Sequence, residues 1–336
     1  MDGDSVTKRA SETATEKTDA FSIGGLGRLL LRSREAGIVG ALLITILVLT
    51  MLDRSFLSSY NLINITLQAA VTAILAIAAT FVILTAGIDL SIGSTLAVAA
   101  VSAALMITHG VPMPLAILGT LGIGVLFGLI NGLIVTLSGI TPFVVTLGTM
   151  SIYSGTALIL SGGQTVYGIP QQFSDLLAGK IGAVPIPVII ALAVVLASTF
   201  VLRQTKLGEY CIAIGGNREV ARLAGINVTA YTTAAYAIAG MLAALAGMIT
   251  AARLGASDPI LGKDLLLPAV AAAVMGGANL MGGEGSMIGA AVGAILISTL
   301  QAGLTFLNVQ AFYQEVAVGA VIILALLFNR LQGGRS

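Results

Sequence analysis

The chain alternates between long apolar runs and short clusters of charge. No Lys, Arg, Asp or Glu occurs within residues 55–88, 90–174, 181–202, 223–252 or 285–314. A helix crossing the hydrocarbon core needs about 20 mainly apolar residues, so the interval 90–174 alone must hold about three. The runs predict helices over 37–52, 63–86, 91–108, 114–137, 142–161, 186–203, 230–252, 266–281, 286–307 and 312–329. The expected fold class is therefore an all-α polytopic membrane protein with about ten transmembrane helices and glycine-broken segments. Glycines crowd the ends of 91–108 and 266–281, so either of these reads as a full crossing or as a re-entrant segment.

Within the runs, two sets of glycines recur every fourth residue: Gly124, Gly128, Gly132 and Gly285, Gly289, Gly293. That spacing places small residues on one face, where helix backbones can approach closely in a solvent that supplies no hydrophobic drive between helices. Packing is the plain reading, and a lined pore is the alternative. An internal echo links the two halves: Gly87–Gly93 and Gly277–Gly283 both read G-x-[DN]-L-x-x-G. Each follows an apolar run, and glycine-broken repeats are where transporters often place a solute pathway.

Composition agrees with the pattern. Charged residues make up 9% of the chain and hydrophobic ones 57%, with a mean hydropathy of +1.03, against about 25% charge in soluble domains. A net charge of +1 argues against nucleic acid as a partner. Residues 1–35, rich in Ser and Thr with both charge signs, read as a largely disordered cytoplasmic tail and not a cleavable signal, since the first apolar run starts too late. Residues 36–330 form the transmembrane domain and 331–336 a cytoplasmic C-terminal tail. With the N-terminus inside, residues 1–35, the region from Arg203 to Val228, and Arg330 with Arg335 hold twelve of the sixteen Lys and Arg, leaving Arg54, Lys180, Arg253 and Lys263 outside. This bias sets both termini and the 205–228 loop in the cytoplasm. Cys211, the only cysteine, then lies on the cytoplasmic side as a natural labelling probe.

Catalytic chemistry finds little support. The single histidine, His109, falls in a turn, no His/Cys/Asp/Glu cluster has metal-ligand spacing, and no phosphate-binding G-x-x-x-x-G-K-[ST] loop is present. The chain is expected to be no enzyme and to carry no cofactor, with any ATP and magnesium bound on a partner subunit. Polar residues inside the runs are few: Gln68, Asp89, Asn131, Asn279, Glu284 and Gln301. Polar and ionisable groups at membrane depth default to a functional reading, which makes Gln68, Asp89, Asn131, Asn279 and Glu284 candidates for a translocation pathway. For Asp89 and Glu284, capping of backbone N–H groups at a helix break competes with that reading. With no tryptophan and 5% aromatic residues, few rings are available to stack on a sugar, which would leave recognition to another component.

The long polar stretch 205–228 has its own grammar. Gly215, Gly216 and Asn217 offer a turn and an N-cap, Arg218–Ala224 makes two helical turns through Glu219, Ala221 and Arg222, and Gly225 supplies a left-handed stop. An ordinary capped interfacial helix satisfies the same pattern.

These residues resemble the coupling segment of ABC importer permeases, whose E-A-A-x-x-x-G pattern is met by Glu219, Ala221 and Gly225. Val220 departs from it, and no I-x-L-P element follows. More specifically, I-L-T-x-G-I-D-L-S-x-G-S at 83–94, A-x-G-G-N at 213–217, R-L-x-G-I-N-V at 222–228 and the run 276–293 are similar to ribose-type monosaccharide permeases, in order from about Ser55 to Leu327. The resemblance implies a type II-like importer permease in the bacterial inner membrane. It would work as a homo- or heterodimer of permeases, with two copies of an ATP-binding cassette subunit, or one tandem copy, at the cytoplasmic loops. A periplasmic sugar-binding protein would supply pentose, hexose or related polyol from outside. The competing reading is an ion-coupled secondary transporter, for which Asp89 is the one plausible ion or proton site.

Overall fold

The computed structural model describes residues 36–310, 312–320 and 323. The tails expected over 1–35 and 331–336 lie outside the described residues, and of the helix expected over 312–329 the residues 312–320 and 323 are helical. Twelve further α-helices follow in order: α1 Ala36–Leu52, α2 Ser59–Leu84, α3 Ile92–Thr108, α4 Met113–Ser138, α5 Pro142–Ser161, α6 Gln171–Ala178, α7 Ile186–Gln204, α8 Lys206–Gly216, α9 Arg218–Leu223, α10 Val228–Leu254, α11 Lys263–Met275 and α12 Met287–Phe306. A two-residue ribbon, β1 Lys180–Ile181 against β2 Val184–Pro185, separates α6 from α7.

Six of these, α2, α4, α5, α7, α10 and α12, are long and apolar enough to cross a membrane. The other apolar helices are shorter: 17 residues in α1 and α3 and 13 in α11. At 1.5 Å per residue, α11 reaches about 20 Å, less than the ~30 Å hydrocarbon thickness. Length and composition thus identify six crossings among the described residues and do not confirm the expected count of about ten. The expectation over 266–281 is corrected most: the helix starts earlier and stops at Met275, because Gly276 and Gly277 turn the chain. Sequence punctuation explains the better-placed ends. In α5, Pro142 opens the helix where its missing N–H costs nothing, and Gly162, at φ 63°, closes it.

The packing centre is α2, continuously buried from Ala69 to Leu84. Helices α7, α10, α11 and α12 surround it, and α10 continues outward onto α3 and α4. By contrast α4, α5 and α7 expose much of their apolar surface, including Leu118, Leu137, Phe143, Ile152, Leu192 and Phe200. In water such faces would aggregate. In a bilayer they are matched to lipid or to a second subunit.

The first glycine ladder packs α4 on α10. A β-carbon on Gly124 would stand 2.6 Å from the Ala244 β-carbon, one on Gly128 2.7 Å from the Ala237 Cα, and one on Gly132 2.6 Å from the Thr233 Cα. The second ladder divides. Gly289 and Gly293 lie against the carbonyls of Gly276 and Ala272 on the α11 side, while Gly285 precedes α12 and faces Thr80 and Leu84 of α2.

Candidate functional site

Two groups of candidate residues emerge, one at the surface and one inside. At the surface, the stretch expected to be a loop over 205–228 is mostly helical. Gly215 and Gly216 do not form a turn; they end α8. Asn217 then caps α9, its Oδ1 accepting from the Glu219 and Val220 amides at 3.0 Å each. The helix ends as its sequence pattern requires: Gly225 sits at φ 84°, with the Ile226 amide donating to the Ala221 carbonyl at 3.1 Å. Glu219 and Arg222 form an exposed pair at 2.8 Å, a contact in solvent worth well under ~1 kcal/mol. Ala221 turns inward and packs with Ile214, Ile226, Val228 and Tyr231, fastening α9 to α8 and α10. The opposite side presents Val220 and Leu223, 60% and 78% exposed, apolar side chains on an otherwise charged helix.

Inside, Asp89, Ser91, Asn131 and Tyr153 join α3, α4 and α5 through one polar chain. The Ser91 amide and hydroxyl both donate to Asp89 Oδ1, at 2.8 and 2.6 Å. Asn131 Nδ2 donates to Ser91 Oγ at 2.7 Å, and the Tyr153 hydroxyl reaches Asn131 Oδ1 at 3.3 Å. The Thr146 hydroxyl donates to the Ile88 carbonyl at 2.9 Å and ties α5 to the same break. Asp89 therefore does not cap α3 as expected: Ser91 is the cap residue, and the carboxylate closes a turn just before it. Asn131 bonds across helices, to Ser91 and Tyr153. The buried Tyr236 hydroxyl lies beside Gly87 with no hydrogen-bond partner among the described residues. Tyr153 and Tyr236 were not singled out from the sequence, although a hydroxyl-bearing ring inside an apolar run was available as a signal.

The other pathway candidates separate. Gln68 of α2 pairs with Gln301 of α12 at 3.1 Å. Asn279 closes the second break, its Oδ1 accepting from the Met281 amide at 3.0 Å and its own amide donating to the Glu284 carbonyl. Glu284 is exposed and belongs to the second break, its carbonyl accepting from the Asn279 amide. The two breaks share one local device, an Asx turn from Asp89 to Ser91 and from Asn279 to Met281. This gives the G-x-[DN]-L-x-x-G repeat a structural content that sequence alone left open to coincidence. Among the described residues no group of His, Cys, Asp and Glu has the arrangement of a metal site.

Residues 61–326 match the family of the branched-chain amino acid transport system permease component. The chain belongs to this family of ABC importer permeases. It is similar, at 37% identity over 312 residues, to the ribose import permease of Haemophilus influenzae, covering 92% of this chain and 96% of that one. The Bacillus subtilis ribose import permease is 38% identical, with 86% and 90% covered, and the Escherichia coli D-allose transport system permease 37% identical, with 82% and 85% covered. No solved structure matches. The permease is accordingly a multi-pass inner-membrane transport subunit, not an enzyme, of an importer that includes an ATPase and a substrate-binding protein.

Proposed function

We propose that the permease carries a ribose-like monosaccharide, and that α9 is the element through which ATP hydrolysed on a partner subunit drives it. The substrate reading rests on the relatives, which are named for ribose and D-allose at 37–38% identity over most of both chains. The coupling reading rests on one observation: a capped, firmly anchored helix that carries Arg218, Glu219 and Arg222 leaves Val220 and Leu223 exposed. Exposed apolar side chains held on a rigid element mark a surface that a protein partner can bury.

In this reading two permeases, identical or paired with a close relative, stand over two ATP-binding subunits that hold all nucleotide and magnesium. Both termini and α8–α9 face the cytoplasm, following the Lys and Arg distribution. About ten segments then enter the membrane, α3 and α11 among them as short or re-entrant ones. Asp89 and Asn131 serve the interior of each subunit. With few aromatic rings to grip a sugar, selection falls mainly to the binding protein outside.

Reconstitution tests the reading. The permease, its ATPase and its binding protein, taken from neighbouring reading frames, are placed in proteoliposomes and offered labelled ribose, D-allose and galactose. Uptake should require enclosed ATP and the binding protein. Uptake that survives ATP depletion and collapses with the proton gradient would instead establish the ion-coupled alternative.

A further inference from the structure

The α8 terminus touches the end of α2, just ahead of the first glycine break, and the second break at once. A β-carbon on Gly215 would run into the Leu84 carbonyl oxygen, at the end of α2, and into the Gly283 amide nitrogen of the second break. One on Gly282 would meet the Ala86 β-carbon at 2.7 Å and the Gly215 carbonyl oxygen at 2.8 Å, and one on Gly283 would meet the Gly216 nitrogen at 3.0 Å. The Gly283 amide also donates to the Leu84 carbonyl at 3.1 Å. Three backbone segments, far apart in sequence, thus meet without side chains between them. Nothing there is soft, because atoms that touch as backbone cannot relax by changing rotamer.

Position gives the contact its meaning. Asn217, the cap of α9, follows Gly216 directly. Leu84 ends the most buried helix and leads into the break that holds Asp89. Gly282 and Gly283 belong to the second, equivalent break. A displacement of α9 is therefore delivered, within two residues, to the end of α2, just ahead of the first break, and to the second break itself.

We propose that the junction of Gly215 with Leu84, Ala86, Gly282 and Gly283 transmits movement of the α9 coupling helix to the end of α2 and to the second break, with Gly215 as the positioning residue. The inference rests on the coupling role proposed for α9. It adds the point at which force leaves that helix for the membrane domain.

Neighbouring glycines supply the test. Gly215→Ala wedges the junction, whereas a β-carbon on Gly216 meets nothing within 4 Å, so Gly216→Ala is the matched control. Both variants are purified with the ATPase subunit and assayed in proteoliposomes for basal ATPase activity, stimulation by loaded binding protein, and sugar uptake. Gly215→Ala should retain the ATPase subunit and basal hydrolysis, while uptake per ATP hydrolysed falls by about 5- to 150-fold, the usual span of coupling between linked sites. Gly216→Ala should behave as wild type. Independently of any variant, amide exchange of the peptide covering 277–286 should differ between nucleotide-free and ATP-trapped wild-type importer. A Gly215→Ala importer with wild-type coupling overturns the proposal. So does a proportional loss of hydrolysis and uptake accompanied by unchanged exchange in 277–286. Failure of wild-type α9 to hold the ATPase subunit at all would sink the docking reading itself, and is seen separately at purification.

Discussion

Gly128→Ala should loosen the α4–α10 contact while leaving α4 a better helix. The added methyl would stand 2.7 Å from the Ala237 Cα and closer still to the Tyr236 carbonyl oxygen, whereas ordinary contact begins at 3.4 Å. The two helices must therefore part by about 0.7 Å or more at this point, or α4 must rotate, and the neighbouring contacts at Gly124 and Gly132 open with it. Forced overpacking costs about 1–3 kcal/mol, set against a gain of up to ~1 kcal/mol from replacing a helical glycine. Gly122→Ala, also on α4, meets nothing within 4 Å and collects the gain alone. The difference between the two variants is thus ~1–3 kcal/mol. At about 2 °C per kcal/mol, the large-domain end of the scale, this separates their apparent Tm values by roughly 2–6 °C. Thermal unfolding of both variants in the same detergent, followed by size exclusion, measures it. Equal melting would refute the idea that backbone contact, and not side-chain filling, holds these helices together.

Asp89→Asn should keep most uptake and folded yield, because an amide oxygen accepts from the Ser91 amide and hydroxyl as the carboxylate does. Asp89→Leu strands a buried N–H at a cost of ~1–3 kcal/mol and should lower the yield of monodisperse protein; equal yields of the two variants would count against the turn-closing role. Leu223→Asp should leave the melting of the isolated permease within about 0.5 kcal/mol, as for exposed sites generally, yet weaken retention of the ATPase subunit by fivefold or more, a loss of ~1 kcal/mol or more at the contact; unchanged co-purification would remove α9 as the dock. Cys211 should resist thiol reagents in the folded permease, being fully buried with its thiol pushed by burial from 9.0 up to about 12. The folded state keeps the thiol neutral, so its effect on stability is absent below about pH 9 and turns unfavourable to folding as pH rises from 9 towards 12, where only the unfolded chain ionises. Fast labelling at neutral pH would contradict that burial. Orientation is better read from Arg218→Cys, on the exposed side of α9, with impermeant reagent added to intact cells; labelling there would overturn the cytoplasmic assignment.

The apolar runs determined the helices because a continuous apolar run of this length can satisfy its own N–H and C=O groups in a bilayer as a helix, whereas a barrel needs short strands of alternating polarity. Ends marked by Pro142, Gly162, Asn217 and Gly225 were legible for the same local reason: capping and left-handed stops act over a few residues. Asn279 and Asp89 were visible as a repeated break, since an Asx turn needs only its own neighbours. What the sequence left undecided involves distance through space. The burial of Cys211 and exposure of Glu284 depend on how α8 and the second break dock. Likewise, whether the second glycine ladder faces one helix or two depended on α11 stopping at Met275. The meeting of Gly215, Leu84 and Gly282 could be found only in the folded molecule. Glycine announces that a backbone can approach, but only the partner's position says which one does.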